Sequence, residues 1–148
     1  MVKYLDLLDK KYKLGGRGPD FYDCYGLVKE MFSRCGKELP NYIETVQDFD
    51  KISKRIITEK EKPNSGWIKI TKKEATRTIQ NCFGDIYIRP NSLILMRMGR
   101  FGCHIGFILD NLHFIHCWDR ADSVIIERID YWKNNILGAY DYDLCIRS

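Results

Sequence analysis

The period of hydrophobic and polar positions changes once along the chain, near residue 66, dividing it into a helical first part and a stranded second part. Leu5 and Leu8, followed by Tyr12, keep helical spacing and predict a short amphipathic helix over residues 2–11. The run Gly15-Gly16-Arg17-Gly18-Pro19-Asp20 is a turn. Beyond it Cys24, Leu27, Val28, Met31, Phe32 and Cys35 share one helical face, so a second helix starts near Cys24, with Asp20 or Asp23 as its cap and Gly36 as its stop. Residues 37–64 are polar and hold Pro40 and Pro63, with a weaker helix predicted over 49–57. From Gly66 onward the pattern shortens to strands, predicted over 67–70, 85–89, 93–98, 105–109, 113–118 and 124–129. Helices followed by closely linked strands imply an α+β fold, with the N-terminal helices packed on a central antiparallel β-sheet.

A chain of 148 residues, 45% of them hydrophobic, can bury one core, and no internal repeat or linker divides it; residues 1–148 read as a single domain. Asp6 and Asp9 interrupt the only apolar patch of the first ten residues, and no small-residue cleavage site follows. The expectation is synthesis in the cytoplasm without a signal peptide. No apolar run is long enough to span a bilayer, so membrane insertion is not expected. Six scattered cysteines in such a chain read as reduced thiols. The net charge of +4 is spread out, and the densest basic region, 51–73, is broken by Glu59 and Glu61, so no nucleic-acid partner is expected.

Candidate chemistry concentrates at two places. Cys24 stands at a helix start, where unpaired backbone N–H groups and the macrodipole favour an anion, so the thiolate is expected to gain over the thiol. The three histidines, His104, His113 and His116, fall within thirteen residues on two consecutive strands. If Asp110, Asn111 and Leu112 form a three-residue hairpin loop, Leu109 faces His113 and Gly106 faces His116. His104 and His116 are then diagonal neighbours on one face, expected to meet the start of the Cys24 helix, while His113 points away. A two-residue loop would separate His104 from His116. A thiol nucleophile needs a base in hydrogen-bond reach and a third group to orient that base, and Cys24, His104 and His116 can fill these roles. Gly106 leaves room beside the imidazole.

Plainer readings exist for the same residues. A cysteine on an apolar helical stripe is commonly packing, and His113 beside a turn has no assigned role. Cys103, His104, His113, His116 and Cys117 also look like a metal cluster, but neighbouring strand residues point to opposite faces, so no metal and no cofactor is expected.

Together, Tyr12-Lys13-Leu14-Gly15-Gly16, Asp23-Cys24-Tyr25-Gly26-Leu27-Val28, His104-Ile105-Gly106-Phe107-Ile108-Leu109 and Phe114-Ile115-His116 resemble the NlpC-type cell-wall endopeptidases, which are papain-like cysteine peptidases. Gly15-Gly16-Arg17-Gly18-Pro19 and Tyr131-Trp132 look most like the branch found in bacteriophage tails and prophages. The resemblance covers 12–35 and 90–118 well and implies a papain-like fold. It implies that Cys24 attacks an amide of the peptidoglycan stem peptide, typically between γ-D-glutamate and a diamino acid, with His104 as base and acid and His116 orienting it. Tyr12, Asp23 and Tyr25 would lie on the substrate and oxyanion side of the thiol, where a backbone N–H and the Tyr12 hydroxyl would stabilise the tetrahedral intermediate. Phage-tail proteins are the partners this branch implies, and a virion or the cell wall its place of action. Tyr25 stands where the family usually has a small residue, and Asn91-Ser92-Leu93 stands for its usual Gly-Asp-Leu. Residues 41–89 look like an insertion that shapes access to the cleft. Two alternatives stay open: a structural tail-assembly protein that acts through partner contacts, and an acyltransferase using the same thiol.

Overall fold

The computed structural model describes residues 2–41, 66–82, 84–98 and 102–143. The helix predicted over 49–57 lies outside the described residues. Within them are β1 (Lys11–Tyr12), β2 (Phe21–Tyr22), α1 (Cys24–Arg34), β3 (Trp67–Lys69), β4 (Arg77–Asn81), β5 (Gly84–Ile88), β6 (Leu93–Met98), β7 (Gly102–Ile108), β8 (His113–Trp118), β9 (Ser123–Arg128) and β10 (Ile136–Tyr142), with 3-10 turns at Leu5–Leu7 and Ile129–Trp132. Eight strands form one sheet in the order β2-β1-β9-β8-β7-β6-β10-β3, antiparallel except for the β1–β2 pair, and β4 and β5 form a separate hairpin.

The antiparallel sheet agrees with the sequence expectation, but the N-terminal helices packed on it reduce to α1 among the described residues. Residues 2–11 are not the predicted helix. They make a single 3-10 turn in which Leu7 is buried while Leu5, assigned to the apolar stripe, is 75% exposed. Asp9 then turns the chain through a left-handed conformation, φ 68°, and the backbone joins the sheet edge: Asp9 N–H donates to Val124 O at 3.2 Å and Val124 N–H donates to Lys10 O at 2.8 Å. An open strand edge offers backbone partners to every second residue, which outweighs the weak propensity of so short a helix.

The predicted second helix is α1. Asp23 is its N-cap, its side chain accepting from Gly26 N–H. At the other end Gly36 N–H donates to Ser33 O and Lys37 N–H donates to Phe32 O, each at 2.9 Å, with Gly36 at φ 82°. This paired closure is a Schellman motif, and it ends the helix where the glycine predicts.

The sheet is buried on both faces. Leu27, Val28, Met31 and Phe32 of α1 pack on Leu93, Leu95, Ile105, Phe107 and Ile115, with the Phe32 and Phe107 rings edge to face at 5.3 Å. Against the opposite face, Ile79 and Ile88 of the β4–β5 hairpin join Ile94, Met96, Ile108, Phe114 and Ile129. Double burial is why β6 reads as a continuous apolar run and not as an alternation. The hairpin, part of the expected 41–89 insertion, is clamped to the β7–β8 turn: Thr76 Oγ1 donates to Asn111 Oδ1 at 2.7 Å and an Arg77 guanidinium N–H donates to Asn111 O at 2.5 Å. No helix among the described residues is long and apolar enough to cross a membrane.

One contact fixes α1 against the preceding loop. A Cβ built on Gly26 would lie 2.0 Å from Gly16 O and 3.0 Å from Gly16 C, backbone atoms that cannot rotate away. Gly26→Ala is therefore expected to destabilise the protein by about 2 kcal/mol or more, measured by urea unfolding; wild-type stability in that variant would contradict the close approach.

Candidate active site

The loop before α1 is organised by one buried carboxylate. Asp23 Oδ1 accepts from Gly26 N–H at 2.6 Å, and Oδ2 accepts from Arg17 Nη1 at 2.6 Å and Gly15 N–H at 3.2 Å. Asp23 N–H in turn donates to Gly16 O at 3.0 Å. These bonds fold residues 15–17 over the first helical turn and hold Cys24 in place. Tyr12 comes to the same corner from β1. Burial, with Cys24 and Asp23 close by, pushes its phenol above its ordinary range.

Cys24 is only 1% exposed and sits where the sheet opens. β7 and β8 are paired at Phe107↔Ile115 and Ile108↔Phe114, and the three-residue loop 110–112 sets this register, with Leu109 N–H donating to His113 O at 2.9 Å. Continued past Gly106, the register would set Ile105 opposite Cys117. There the ladder stops: Ile105 N–H donates instead to the Cys24 sulfur, and the Cys117 thiol donates to Tyr22 O at 3.2 Å. The nucleophile candidate is thus held at the backbone of β7, one residue from His104.

The two histidines meet as the loop length requires. Their rings are 4.9 Å apart, and His104 Nε2 lies 2.7 Å from His116 Nδ1. Both are buried, at 4% and 0% exposure, with Trp118 near both rings and Phe114 stacked on His116 at 4.6 Å. The expectation that they face α1 needs correction. Ile105, Phe107, Ile115 and Cys117 carry the face under the helix, whereas His116 packs with Phe114 and Trp132 on the other face, and strand alternation puts His104 there too. Cys24 therefore approaches β7 from one side of the sheet and the imidazoles stand on the other, with the opened ladder between them. Gly106 is tight here: a Cβ would lie 2.8 Å from the Phe114 ring and 3.2 Å from His116 Cβ.

The electrostatics also differ from the expectation of a helix-stabilised thiolate. Burial pushes the Cys24 thiol well up, and the Asp23 carboxylate beside it adds to that, against the Ile105 N–H. Burial and the neighbouring His116 push the His104 imidazole well down. A helix terminus supplies at most about 2 kcal/mol to an anion, less than complete desolvation of a charge takes away. Both shifts favour the uncharged forms, thiol and imidazole.

Asp23 and Tyr25, expected on the substrate side, have internal roles. Neither has exposed surface, Asp23 is the loop organiser described above, and the Tyr25 hydroxyl donates to Pro40 O while the Arg17 guanidinium lies 5.3 Å from its ring. The tyrosine at this unusual position thus pins the chain beyond α1. Asn91, in place of a glycine, takes a left-handed turn, φ 62°, that asparagine tolerates better than most residues, and the buried Ser92 hydroxyl donates to Arg89 O at 2.7 Å. His113 is on the opposite face from His116, 3.1 Å from the Asp110 carboxylate.

The residue that sequence reasoning missed is Glu127, whose Oε1 lies 2.8 Å from His116 Nε2 and whose Oε2 accepts from Trp132 Nε1 at 3.0 Å. Its signal is the β8–β9 register: with Ile125 opposite His116, Glu127 is the diagonal neighbour on the histidine face. Among the described residues no three His, Cys, Asp or Glu side chains gather so as to hold a metal ion.

Comparison with known proteins identifies the family. The model of the NlpC/P60 family matches residues 9–141. The chain is 26% identical over 136 residues to the Escherichia coli K12 protein named murein DD-endopeptidase MepS/murein LD-carboxypeptidase, covering 90% of this chain and 56% of that one, so it spans about half the length of its curated relative. Among solved structures it resembles an NLP/P60-family protein similar to lipoprotein from Staphylococcus aureus, at TM-score 0.56 and 19% identity over 93% of this chain and 38% of that one. It also resembles NlpC2 from Trichomonas vaginalis, at TM-score 0.53 and 16% identity over 92% and 42%. With the family model spanning the candidate nucleophile, both buried histidines and Glu127, the chain belongs to the NlpC/P60 family.

Proposed function

We propose that the protein is a cysteine endopeptidase hydrolysing amide bonds of peptidoglycan stem peptides, typically between γ-D-glutamate and a diamino acid. Cys24 is the nucleophile, His104 the general base and acid, and His116 the group that holds His104 in orientation. The observation that carries this reading is the buried 2.7 Å hydrogen bond between His104 and His116, on the strand whose Ile105 amide meets the Cys24 sulfur. Similarity to a curated murein endopeptidase supports the substrate class.

His116 engages Nε2 of His104, so Nδ1 is the nitrogen left to receive the thiol proton. As sulfur attacks the scissile carbonyl, that proton passes to Nδ1 and is then returned to the departing amine. Water attacks the resulting thioester by the same route in reverse, releasing the acid and regenerating the thiol. Because burial favours the uncharged form of both groups, proton transfer accompanies attack and does not precede it. A backbone N–H beside Cys24 and the Tyr12 hydroxyl stabilise the oxyanion. The narrower placement in the bacteriophage tail branch rests on residues 15–19 and Tyr131-Trp132, and implies action at the cell wall from a virion. Purified virions in which mass spectrometry finds no peptide of this protein would remove that part of the proposal.

Defined muropeptides incubated with the protein are expected to gain one water per bond cleaved, read by mass spectrometry, and Cys24→Ala is expected to lower the rate by on the order of 10³-fold or more. Cleavage that survives in Cys24→Ala would eliminate the mechanism, and products carrying an added amine in place of water would redirect it to acyl transfer.

The buried neutral imidazole has a stability signature. Its folded pKa lies below the unfolded value of 6.5, so the stability it contributes is complete above that pH and is lost as pH falls below it, by up to about 1.4 kcal/mol per pH unit. His104→Gln should flatten this acid limb in urea unfolding between about pH 6.5 and pH 5; an unchanged limb would mean that His104 is already charged in the fold.

A further inference from the structure

We propose that Glu127 is a positioning residue that sets the direction of the hydrogen-bond line through His116 and His104, so that Nδ1 of His104 holds a lone pair, not a proton, before the thiol attacks. The inference rests on the peptidase reading above and extends it by one residue beyond the histidine pair.

Two neutral imidazoles joined by one hydrogen bond can be arranged in two ways. His104 Nε2–H can donate to a bare His116 Nδ1, which leaves His104 Nδ1 with a lone pair. Alternatively His116 Nδ1–H donates to a bare His104 Nε2, which leaves His104 Nδ1 carrying the proton and unable to accept one from the thiol. The 2.7 Å separation between Nε2 and Nδ1 accommodates either arrangement. A pair of histidines alone therefore spends part of its time in the unproductive form.

Glu127 removes this ambiguity. An ionised carboxylate only accepts hydrogen bonds, and its Oε1 is 2.8 Å from His116 Nε2, so that nitrogen carries the proton. In neutral His116 the Nδ1 is then bare, it accepts from His104 Nε2–H, and the lone pair appears on His104 Nδ1. The hydrogen bond from His116 holds the Glu127 carboxyl below its ordinary range, and the Trp132 indole strengthens the effect. When His104 takes the thiol proton, no other proton needs to move; the imidazolium is stabilised through the line that ends on the carboxylate.

Trp132 makes the proposal testable. Its indole N–H is donor only and occupies Glu127 Oε2 at 3.0 Å. In Glu127→Gln the indole draws the amide oxygen toward itself, which turns the NH₂ toward His116 Nε2. That nitrogen must then be bare, and the whole line reverses. Adding Trp132→Phe keeps a ring against Phe114 and Trp118, 6.2 and 5.4 Å away, but removes the indole donor. The amide is then free to flip and present its oxygen to His116 again.

The experiment is ¹⁵N NMR of histidine-labelled full-length protein, alongside cleavage of defined muropeptides. In the wild type both His104 and His116 should carry the proton on Nε2; in Glu127→Gln both should carry it on Nδ1, with kcat lower by about 100-fold and KM little changed. Glu127→Gln/Trp132→Phe should return the histidines toward the Nε2–H form and recover part of the lost kcat. An Nδ1–H His104 or a doubly protonated His116 in the wild type, or unchanged tautomers in Glu127→Gln, overturns the proposal. The tautomers are read without turnover, so a protein as active with Cys24→Ala as without it would sink the peptidase reading while leaving the role of Glu127 to be judged from the spectra.

Discussion

The carboxylate of Asp23 is buried, and it takes hydrogen bonds from the Arg17 guanidinium and from the backbone N–H groups of Gly15 and Gly26. Burial of such a charge is tolerable only because both of its oxygens accept hydrogen bonds. That requirement folds the glycine-rich loop over the first turn of α1. It also brings Gly16 O so close to Gly26 that no side chain fits between them. The position of the Cys24 sulfur, and the point at which the β7–β8 ladder gives way to it, follow from this packing.

The opened ladder reconciles two demands that pull apart. A sheet buried on both faces needs each inward position filled by apolar groups, whereas a thiol and an imidazole acting together need a shared space. By giving up the Ile105–Cys117 pairing, the sheet lets a residue from the helix side reach its backbone beside a histidine of the other side. The Ile105 N–H, which would be a costly orphan, finds the sulfur instead. The cost appears in the titration of the pair, because the seclusion that excludes water also disfavours both charged forms. In the proposed peptidase, attack from such a state would depend on the direction in which protons are held along His104, His116 and Glu127 more than on a preformed thiolate.

Elements whose signal is local were legible in the chain. The apolar face of α1, its acidic cap and its terminal glycine are all near-neighbour features, and the three-residue loop of the β7–β8 hairpin decided which histidines meet. Residues 2–11 were misread because helical spacing was weighed without the strand edge that captures their backbone. β4 escaped notice because Ile79 is its only buried residue, and β10, although paired on both sides, is interrupted by Gly138 and Asp141. The Asp141 carboxylate is held between Lys37 and Arg89, partners 104 and 52 residues away, which no local pattern reveals.

By itself the sequence singled out the candidate nucleophile and both histidines, together with the two hairpin registers that would join or separate those histidines, because turn length and strand alternation are properties of consecutive residues. The tertiary structure decided the rest. It set which face of the sheet each group occupies, turned Asp23 and Tyr25 into internal supports, shifted the thiol up and the imidazole down, and added Glu127 to the line. Each of these depends on burial or on a partner from a distant segment, and the free energy of a charge or a proton is governed by those surroundings and not by its neighbours along the chain.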